Sequence, residues 1–396
     1  MININIVRIM NKIKLVHIIS NLSLGGAQIL LLDILKNLNR DGQMEIKVIC
    51  LDSGEFVKNF IDNGIDVIDL KEKGLLNFKI LFKLKKILKN TNPDIVHTHL
   101  NKADFYGRVA AKQSGVKHIF STCHNYSSHH EGADINSISL FDRIDNAVIK
   151  YSDSYIVAIS EIVKQFIINR DSNFKNRTEV IYNGIDVSKE VFVTSDESRR
   201  TLRKSLNINE DDFVILISGR LEKQKGHLFF IKSMQNILKS KKNIKLLIIG
   251  DGNLKEEIID LISEFDLNEF IILTGFLKNT EVYIEICDMV AVPSLWEGFG
   301  LVILEGMIKR KPVLASNVGG IPEIIEDGIN GYLFESENEK SLQEKFLNLY
   351  VAISEYKNEI DFIKKNAMIT LKDKFDISKN SELYRQLYYR KLKLNL

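Results

Sequence analysis

Glu297 and Glu305 belong to a segment whose residue types could bind a phosphorylated sugar. The apolar stretch 288–293 predicts a strand, a Gly-Phe-Gly loop follows it, and a helix is expected to begin near Gly300. Glycines let backbone N–H groups approach a ligand, and a helix start offers unpaired N–H donors, so such a place binds phosphate. A carboxylate on either side can accept hydrogen bonds from hydroxyl groups. The segment therefore predicts a site for two sugar rings joined by a diphosphate, and the alternative is a surface loop with a solvated helix.

Two cations, Arg220 and Lys225, follow the first predicted strand in the second half of the chain. Their stretch, 218–226, reads Ser-Gly-Arg-Leu-Glu-Lys-Gln-Lys-Gly and connects a strand to a helix. Ligands of open α/β sheets bind at such connections. Arginine can hold two phosphate oxygens at once and lysine adds a point charge, so the pair could neutralise a departing diphosphate. The alternative is two solvated loop cations.

A second glycine pair, Gly25 and Gly26, follows the first predicted strand and opens a helix. The stretch Leu-Gly-Gly-Ala-Gln is not a Gly-x-Gly-x-x-Gly fingerprint, and Asp33 is too close to be the acid that binds a ribose. The glycines would let the backbone approach a ligand. A tight turn without a binding role explains them equally well.

Three histidines lie where two predicted strands end. His97 and His99 share one side of their strand because side chains alternate, and His124 ends the next strand. Three histidines can bind zinc, but no carboxylate or cysteine completes a set at a matching spacing, so we expect no metal. A neutral imidazole at position 124 could exchange a proton with a bound hydroxyl, whereas packing is the simpler role for each histidine.

Composition sets limits on the class of protein. With 396 residues, two domains are expected, and the net charge of +2 gives no support for nucleic-acid binding. Three scattered cysteines fit a reducing compartment without disulfides. No apolar run is long enough to span a membrane, and the start lacks the apolar block of a signal peptide. Because Met10 could be a second start, residues 1–9 are interpreted as a dispensable extension.

Short apolar runs alternate with amphipathic stretches throughout, which indicates parallel sheets built from βαβ units. The predicted strands are 14–19, 46–51, 94–98, 118–122, 155–159, 180–186, 213–218, 244–249, 270–273, 288–293 and 312–316. The fold class is α/β. We predict an N-terminal domain at 1–188, a C-terminal domain at 189–375 and a final helix, 376–396, that crosses back to the first domain.

Two segments combine lysines with aromatic residues. Residues 79–89 predict an amphipathic helix with five lysines on one arc, and residues 384–393 are similarly basic and aromatic. Each could be a helix packed on a sheet with a solvated outer face. The other possibility is attraction to anionic lipid headgroups.

Together these motifs resemble the retaining glycosyltransferases of family 4, which have the GT-B architecture of two facing Rossmann-like domains with a cleft between them. The resemblance covers roughly residues 12 to 390. Its motifs are Glu-x7-Glu at 297–305, Gly-Arg-Leu-x-x-x-Lys-Gly at 219–226, Gly-Gly-Ile-Pro-Glu at 319–323, Asp-Gly-x-Asn-Gly at 327–331, Gly-Gly-Ala-Gln at 25–28, His-Thr-His at 97–99 and Asn-Gly-Ile-Asp at 183–186.

The resemblance implies a role for each motif. The catalytic group would comprise His124 near the transferred sugar, Arg220 and Lys225 on the diphosphate, and Glu297 on sugar hydroxyls. The other donor-binding residues it implies are Gly25, Gly26, Gly250, Phe276, Leu277, Gly298, Phe299, Gly300, Leu301, Val302 and Glu305, the last on the ribose hydroxyls. Acceptor-binding residues share no pattern and remain unassigned.

The resemblance also implies the reaction. A single sugar would pass from a nucleotide-diphosphate sugar, with UDP favoured over GDP, to a glycan or a polyprenyl-diphosphate-linked acceptor. The expected setting is capsule, lipopolysaccharide or exopolysaccharide assembly in the cytoplasm, at the inner face of the plasma membrane, with no cofactor and no obligatory metal. The alternatives are a nucleotide-sugar epimerase of the same architecture and a non-catalytic nucleotide-binding protein.

Overall fold

The computed structural model describes residues 12–74, 77–126, 138–188 and 195–394. The chain divides into two compact units: unit 1 is Met1–Gly184 with Ile377–Leu396, and unit 2 is Ile185–Asp376. The extension expected at residues 1–9 lies outside the described residues. Each unit is built around one parallel sheet, which confirms the predicted pair of Rossmann-like domains.

The sheet of unit 1 has seven strands in the order β3-β2-β1-β4-β5-β6-β7, and its pairings are parallel. The strands are β1 (Ile13–Asn21), β2 (Met44–Asp52), β3 (Asp66–Asp69), β4 (Ile95–His99), β5 (His118–Cys123), β6 (Tyr155–Ala158) and β7 (Thr178–Val180). Its first six helices are α1 (Gly26–Leu38), α2 (Val57–Asp62), α3 (Phe78–Thr91), α4 (Asn101–Gln113), α5 (Leu140–Ser152) and α6 (Glu161–Arg170).

The sheet of unit 2 has six parallel strands in the order β10-β9-β8-β11-β12-β13. The strands are β8 (Phe213–Ser218), β9 (Ile244–Ile249), β10 (Ile271–Gly275), β11 (Met289–Val292), β12 (Val313–Ser316) and β13 (Tyr332–Phe334). The helices are α7 (Asp196–Ser205), α8 (His227–Ser240), α9 (Lys255–Glu264), α10 (Glu281–Ile286), α11 (Leu301–Ile308), α12 (Ile321–Ile324), α13 (Glu339–Glu355) and α14 (Lys357–Lys374).

The last helix, α15 (Ile377–Leu392), belongs to unit 1 and packs against α1. Its tyrosines Tyr384, Tyr388 and Tyr389 are 3%, 0% and 7% exposed and join the core formed by β1, β2 and α1. The burial of these three rings favours the first of the two roles considered for this segment, a helix packed on its own unit. Its aromatic rings serve packing.

Most strands predicted from the sequence are present, because each is a run of apolar residues buried on both faces of a parallel sheet. Two were missed, β3 and β13, which lie at sheet edges and are only four and three residues long. The strand predicted to end in an Asn-Gly turn within 180–186 lies earlier in the chain: β7 is Thr178–Val180, and residues 181–184 lack strand structure.

The strand order reverses once in each sheet, between β1 and β4 in unit 1 and between β8 and β11 in unit 2. In open α/β sheets, ligands bind outside the carboxyl ends of the strands at this switch point. The loops after these strands are therefore where chemistry is expected.

Candidate active site

The switch point of unit 2 brings together two loops, 219–226 after β8 and 293–300 after β11. The backbone N–H of Leu295 donates to the carbonyl of Gln224 at 2.8 Å, and the Gln224 side chain donates to the carbonyl of Trp296 at 3.0 Å. Gly226 lies so close to Pro293 that a Cβ atom would stand 1.8 Å from the Pro293 carbonyl oxygen. These contacts fix the two loops edge to edge.

This contact places Lys225 beside Glu297. The Lys225 Nζ lies 2.5 Å from Glu297 Oε2, and the two side chains are only 24% and 10% exposed. The same carboxylate oxygen accepts a hydrogen bond from the Ser294 hydroxyl at 3.2 Å. Arg220 points elsewhere along the loop and pairs with Glu222 at 3.1 Å, where both side chains are open to solvent.

Helix α11 begins directly after these residues, at Leu301. Its N-cap, Gly300, has a φ of 101°, and no side chain caps the helix, so backbone N–H groups end the helix at the loop. Phe299 is buried and packs on Phe375 at 5.5 Å, so its ring is committed to the core and only its backbone can serve a ligand. Glu305 is half-buried in the second turn.

The loops after β8, β9 and β10 also touch through their backbones. The Gly219 N–H donates to the Ile249 carbonyl, and the Gly250 N–H donates to the Gly275 carbonyl, both at 3.0 Å. A Cβ atom at Gly250 would stand 1.9 Å from the Gly219 carbonyl oxygen. Phe276, 52% exposed, and the half-buried Leu277 continue this edge. The other predicted residues of this unit, from Gly298 to Val302, lie in the loop or first turn of α11.

In unit 1 the Gly25–Gly26 pair joins β1 to α1. Gly25 is the N-cap in an extended conformation, and Gly26 is the first helical residue. The loop is held by Asn21, whose side chain accepts from the Ser23 N–H and from the Gln28 amide, each at 3.1 Å. The Leu24 N–H donates to the Glu55 carboxylate at 3.1 Å.

His124 follows β5 and is part of a larger cluster than the sequence indicated. The His97 and His99 rings stack at 4.6 Å, which confirms their shared side, and His17 of β1 stacks on both at 5.2 Å. His99 also approaches His124, with ring centroids 5.8 Å apart. We name these four residues the histidine array. His17 was missed because its contact depends on the pairing of β1 with β4.

Burial keeps the histidine array neutral. It lowers the pKa of His17 to about 3 and that of His124 to about 4, and it holds those of His97 and His99 well below their usual value. His17 Nδ1 and His99 Nε2 share a hydrogen bond of 2.9 Å. The Nε2 of His124 is buried without a partner among the described residues.

Three members, His17, His97 and His99, bring ring nitrogens within 4.8 Å of one another among the described residues, as a metal site would. Two features oppose that role. Both nitrogens of His97 are already hydrogen-bonded, to Tyr388 at 2.6 Å and to Thr122 at 2.8 Å. Stacked rings also direct their lone pairs along nearly parallel planes, whereas ligands of one ion must converge on it.

Comparison with known proteins finds a glycosyltransferase family model for each half of the chain. The family model Glycosyltransferase Family 4 matches residues 24–189, and Glycosyl transferases group 1 matches residues 198–361. A glycosyltransferase of Methanocaldococcus jannaschii is 30% identical over 332 residues, which are 82% of this chain and 85% of that protein. The Escherichia coli UDP-Gal:alpha-D-GlcNAc-diphosphoundecaprenol alpha-1,3-galactosyltransferase is 26% identical, covering 96% of this chain and 97% of its own.

The fold is also found in solved structures. The crystal structure of Anabaena HepE in complex with UDP and glucose superposes with a TM-score of 0.79 at 22% identity, covering 95% of this chain and 99% of HepE. Two parallel-sheet units, the glycine loops and the Glu-x7-Glu segment all agree with this assignment. The chain belongs to the family 4 glycosyltransferases and has the GT-B architecture.

Proposed function

We propose that the protein transfers one sugar from a nucleotide-diphosphate sugar to a hydroxyl group of an acceptor, with retention of configuration. The observation that carries the proposal is the assembly, at the switch point of unit 2, of Lys225, Glu297 and the uncapped start of α11. A cation and a helix N-terminus suit a diphosphate, and a carboxylate beside them suits sugar hydroxyls.

The proposed chemistry is dissociative. As the bond to the anomeric carbon breaks, negative charge grows on the diphosphate, where Arg220, Lys225 and the amides of α11 stabilise it. The acceptor hydroxyl then attacks from the face that the leaving group vacates, and its proton passes to the departing diphosphate. Because Glu297 is engaged by Lys225 and Ser294, we assign it to hydroxyl binding and not to a covalent intermediate. The cations supply positive charge, so we propose that no metal is required and that activity survives EDTA.

The proposed donor is a UDP-hexose or UDP-N-acetylhexosamine, and the proposed acceptor is a polyprenyl-diphosphate-linked glycan in cell-surface polysaccharide assembly. The E. coli relative is named for a UDP-galactose donor and a diphosphoundecaprenol acceptor. A Staphylococcus aureus relative, 24% identical over 96% of this chain, is a capsular polysaccharide biosynthesis glycosyltransferase. UDP release from several UDP-sugars with a lipid-linked acceptor, and NMR of the new linkage, test the donor, the acceptor and retention.

Two substitutions test the site. Lys225→Ala should lower kcat/KM by about 100-fold or more, because one cation on the leaving group is lost. Glu305→Ala should raise KM for the donor by roughly tenfold, because ribose hydroxyls lose their acceptor. Lys223→Ala, a change at an exposed lysine of the same loop, is the control and should leave kcat/KM within about threefold. Full activity of both site variants would refute the assignment.

The same assay separates the two other functions. An epimerase would convert the sugar of the donor without any acceptor, and NMR would show the new sugar. A non-catalytic protein would bind the nucleotide without turnover. The two glycosyltransferase family models that match the chain favour transfer.

We also propose that unit 1 binds an anionic membrane through α3, α4 and α5, which pack side by side. Their outer surfaces expose Phe78 at 69%, Phe82 at 70% and Leu140 at 74%. Further exposed side chains on these helices are Lys79, Lys83, Lys86, Lys89, Phe105, Lys112, Phe141, Arg143, Ile144 and Lys150. Along these three helices, which the structure describes in full, each acidic side chain is buried or half-buried. Apolar side chains and cations fit the inner face of a plasma membrane. Two of these lysines also pair with acids outside the three helices, Lys83 with Glu72 and Lys150 with Asp171.

No helix of the described residues is long and apolar enough to cross a bilayer, so binding would be peripheral. Co-sedimentation with vesicles of anionic phospholipid should capture the protein at low salt, and vesicles of phosphatidylcholine should capture much less. The double variant Phe82→Ser with Leu140→Ser should reduce capture, whereas Phe362→Ser, at a 50% exposed site in unit 2, should not. Absence of capture at low salt would contradict the proposal.

A further inference from the structure

The ion pair between Lys225 and Glu297 occupies the two side chains that a nucleotide sugar needs separately. In the proposed function Lys225 holds phosphate and Glu297 holds sugar hydroxyls. In the structure the Nζ and Oε2 atoms lie 2.5 Å apart and neutralise each other. A diphosphate must therefore compete with Glu297 for the ammonium group.

The pair is held by the fold and does not depend on two flexible side chains meeting. Backbone and amide hydrogen bonds join the loops that carry the two residues, as described above. The stem of Lys225 also lies over Gly219, where a Cβ atom would be 3.5 Å from its Cγ and 3.6 Å from its Cδ and Cε. This packing of the Lys225 stem directs its ammonium group toward Glu297.

Opening the pair leaves the Glu297 carboxylate poorly solvated. Its side chain is 10% exposed, and among the described residues its partner besides Lys225 is the Ser294 hydroxyl. A carboxylate that loses its cation in such a place is costly unless new donors arrive. The hydroxyls of a donor sugar are such donors, and a free nucleoside diphosphate has none to offer at that position.

We propose that the Lys225–Glu297 pair is a latch that makes the site prefer a nucleotide sugar to the free nucleoside diphosphate. A nucleotide sugar opens the latch and satisfies both residues. After transfer, the remaining nucleoside diphosphate satisfies Lys225 alone, so the pair reforms and favours product release. The inference rests on the proposed function, since it assigns both residues to the donor.

The second ion pair of the same loop offers a matched control. Arg220 and Glu222 lie 3.1 Å apart, but their side chains are 66% and 36% exposed. Water can replace Arg220 beside Glu222, so opening that pair costs little. The substitutions Glu297→Gln and Glu222→Gln each remove one negative charge near the site, and only the first breaks the latch.

Calorimetry on the full chain measures two affinities, one for UDP and one for the tightest binder among UDP-glucose, UDP-galactose and UDP-N-acetylglucosamine. The quantity compared is the ratio of the affinity for the UDP-sugar to the affinity for UDP. Glu297→Gln should bind UDP about tenfold more tightly than the natural protein, and its preference for the UDP-sugar should fall toward one. Glu222→Gln should change both affinities by the same factor and leave the ratio unchanged. Ser294→Ala removes the hydroxyl that donates to the Glu297 carboxylate when the latch is open. It should therefore weaken the binding of UDP more than the binding of the UDP-sugar, which raises the ratio.

The outcomes are distinct. An unchanged UDP affinity in Glu297→Gln, or the same loss of preference in Glu222→Gln, would overturn the latch. If Glu297→Gln fails to fold, as thermal unfolding would show, an unchanged or lower ratio in Ser294→Ala would overturn it instead. A natural protein that binds neither UDP nor any of the UDP-sugars would overturn the proposed donor, which is a separate failure.

Discussion

Gly226 shows how a single residue can hold the candidate site together. Its φ of 67° lies in the left-handed region, and its missing side chain lets the start of α8 press against the end of β11. The loop motif that contains it was visible in the sequence. The reason for the glycine was not, because Pro293 is far away along the chain.

Gly226→Ala should destabilise unit 2 by roughly 3 kcal/mol or more, because the new Cβ would stand 1.8 Å from the Pro293 carbonyl oxygen and must force the loops apart. Gly328→Ala is the control: its φ of 74° is similar, and a Cβ there meets nothing within 4 Å, so only about 1 kcal/mol of backbone strain is expected. Urea unfolding followed by the fluorescence of Trp296, the chain's one tryptophan, measures both. Equal losses would contradict the steric argument.

Among the helices and strands, the central strands were predicted because each is a short apolar run. The amphipathic helical stretches between these runs indicated that the sheets are parallel. The edge strands β3 and β13 were missed because they are short, and β3 begins and ends with an aspartate. The same limit applies to the candidate site. Motif spacing indicated that Lys225 and Glu297 serve one ligand, but they are 72 residues apart, and only the pairing of β8 with β11 puts them in contact.

The pairing of β1 with β4 has a consequence for acid stability. The folded state keeps the histidine array neutral, whereas an unfolded histidine takes up a proton near its pKa of about 6.5. Between pH 6.5 and about 4 the unfolded chain therefore binds more protons, so stability is fully present above that window and falls as the pH falls. Each histidine contributes about 1.4 kcal/mol per pH unit.

Asp104 opposes this trend, because burial raises the pKa of its carboxyl to about 6. The folded carboxyl keeps a proton that the unfolded one has lost, so its contribution is present at low pH and is lost as the pH rises through about 6. The effect of this one carboxyl offsets that of one of the four histidines, so unit 1 is expected to lose stability as the pH falls.

Urea unfolding followed by circular dichroism at pH 7.5, 6.5 and 5.5 measures how steeply the free energy of unfolding changes with pH. His17→Gln should reduce it by about one proton, and an unchanged slope would show that His17 takes up its proton in the folded state.

At the scale of the whole molecule, the two units differ in how the chain builds them. Unit 2 is one continuous stretch, Ile185–Asp376, whereas unit 1 needs both ends of the chain. The buried Tyr388 of α15 forms a hydrogen bond with His97 of β4, so the last helix completes the core around the histidine array. Sequence patterning predicted that last helix, but not which of its side chains would be buried.

This difference predicts that residues 185–376 fold alone. Their sheet, its covering helices and the loops that carry Arg220, Lys225, Glu297 and Glu305 all lie within the stretch. The fragment should unfold cooperatively in urea and should bind UDP, because the residues assigned to the diphosphate and the ribose lie within it. Conversely, a chain ending at Asp376 should lose the fold of unit 1, since removing α15 also removes Tyr388 and its contacts with His97 and Phe120. Circular dichroism and calorimetry with UDP measure both, and a folded unit 1 without α15 would contradict the assignment of that helix to its core.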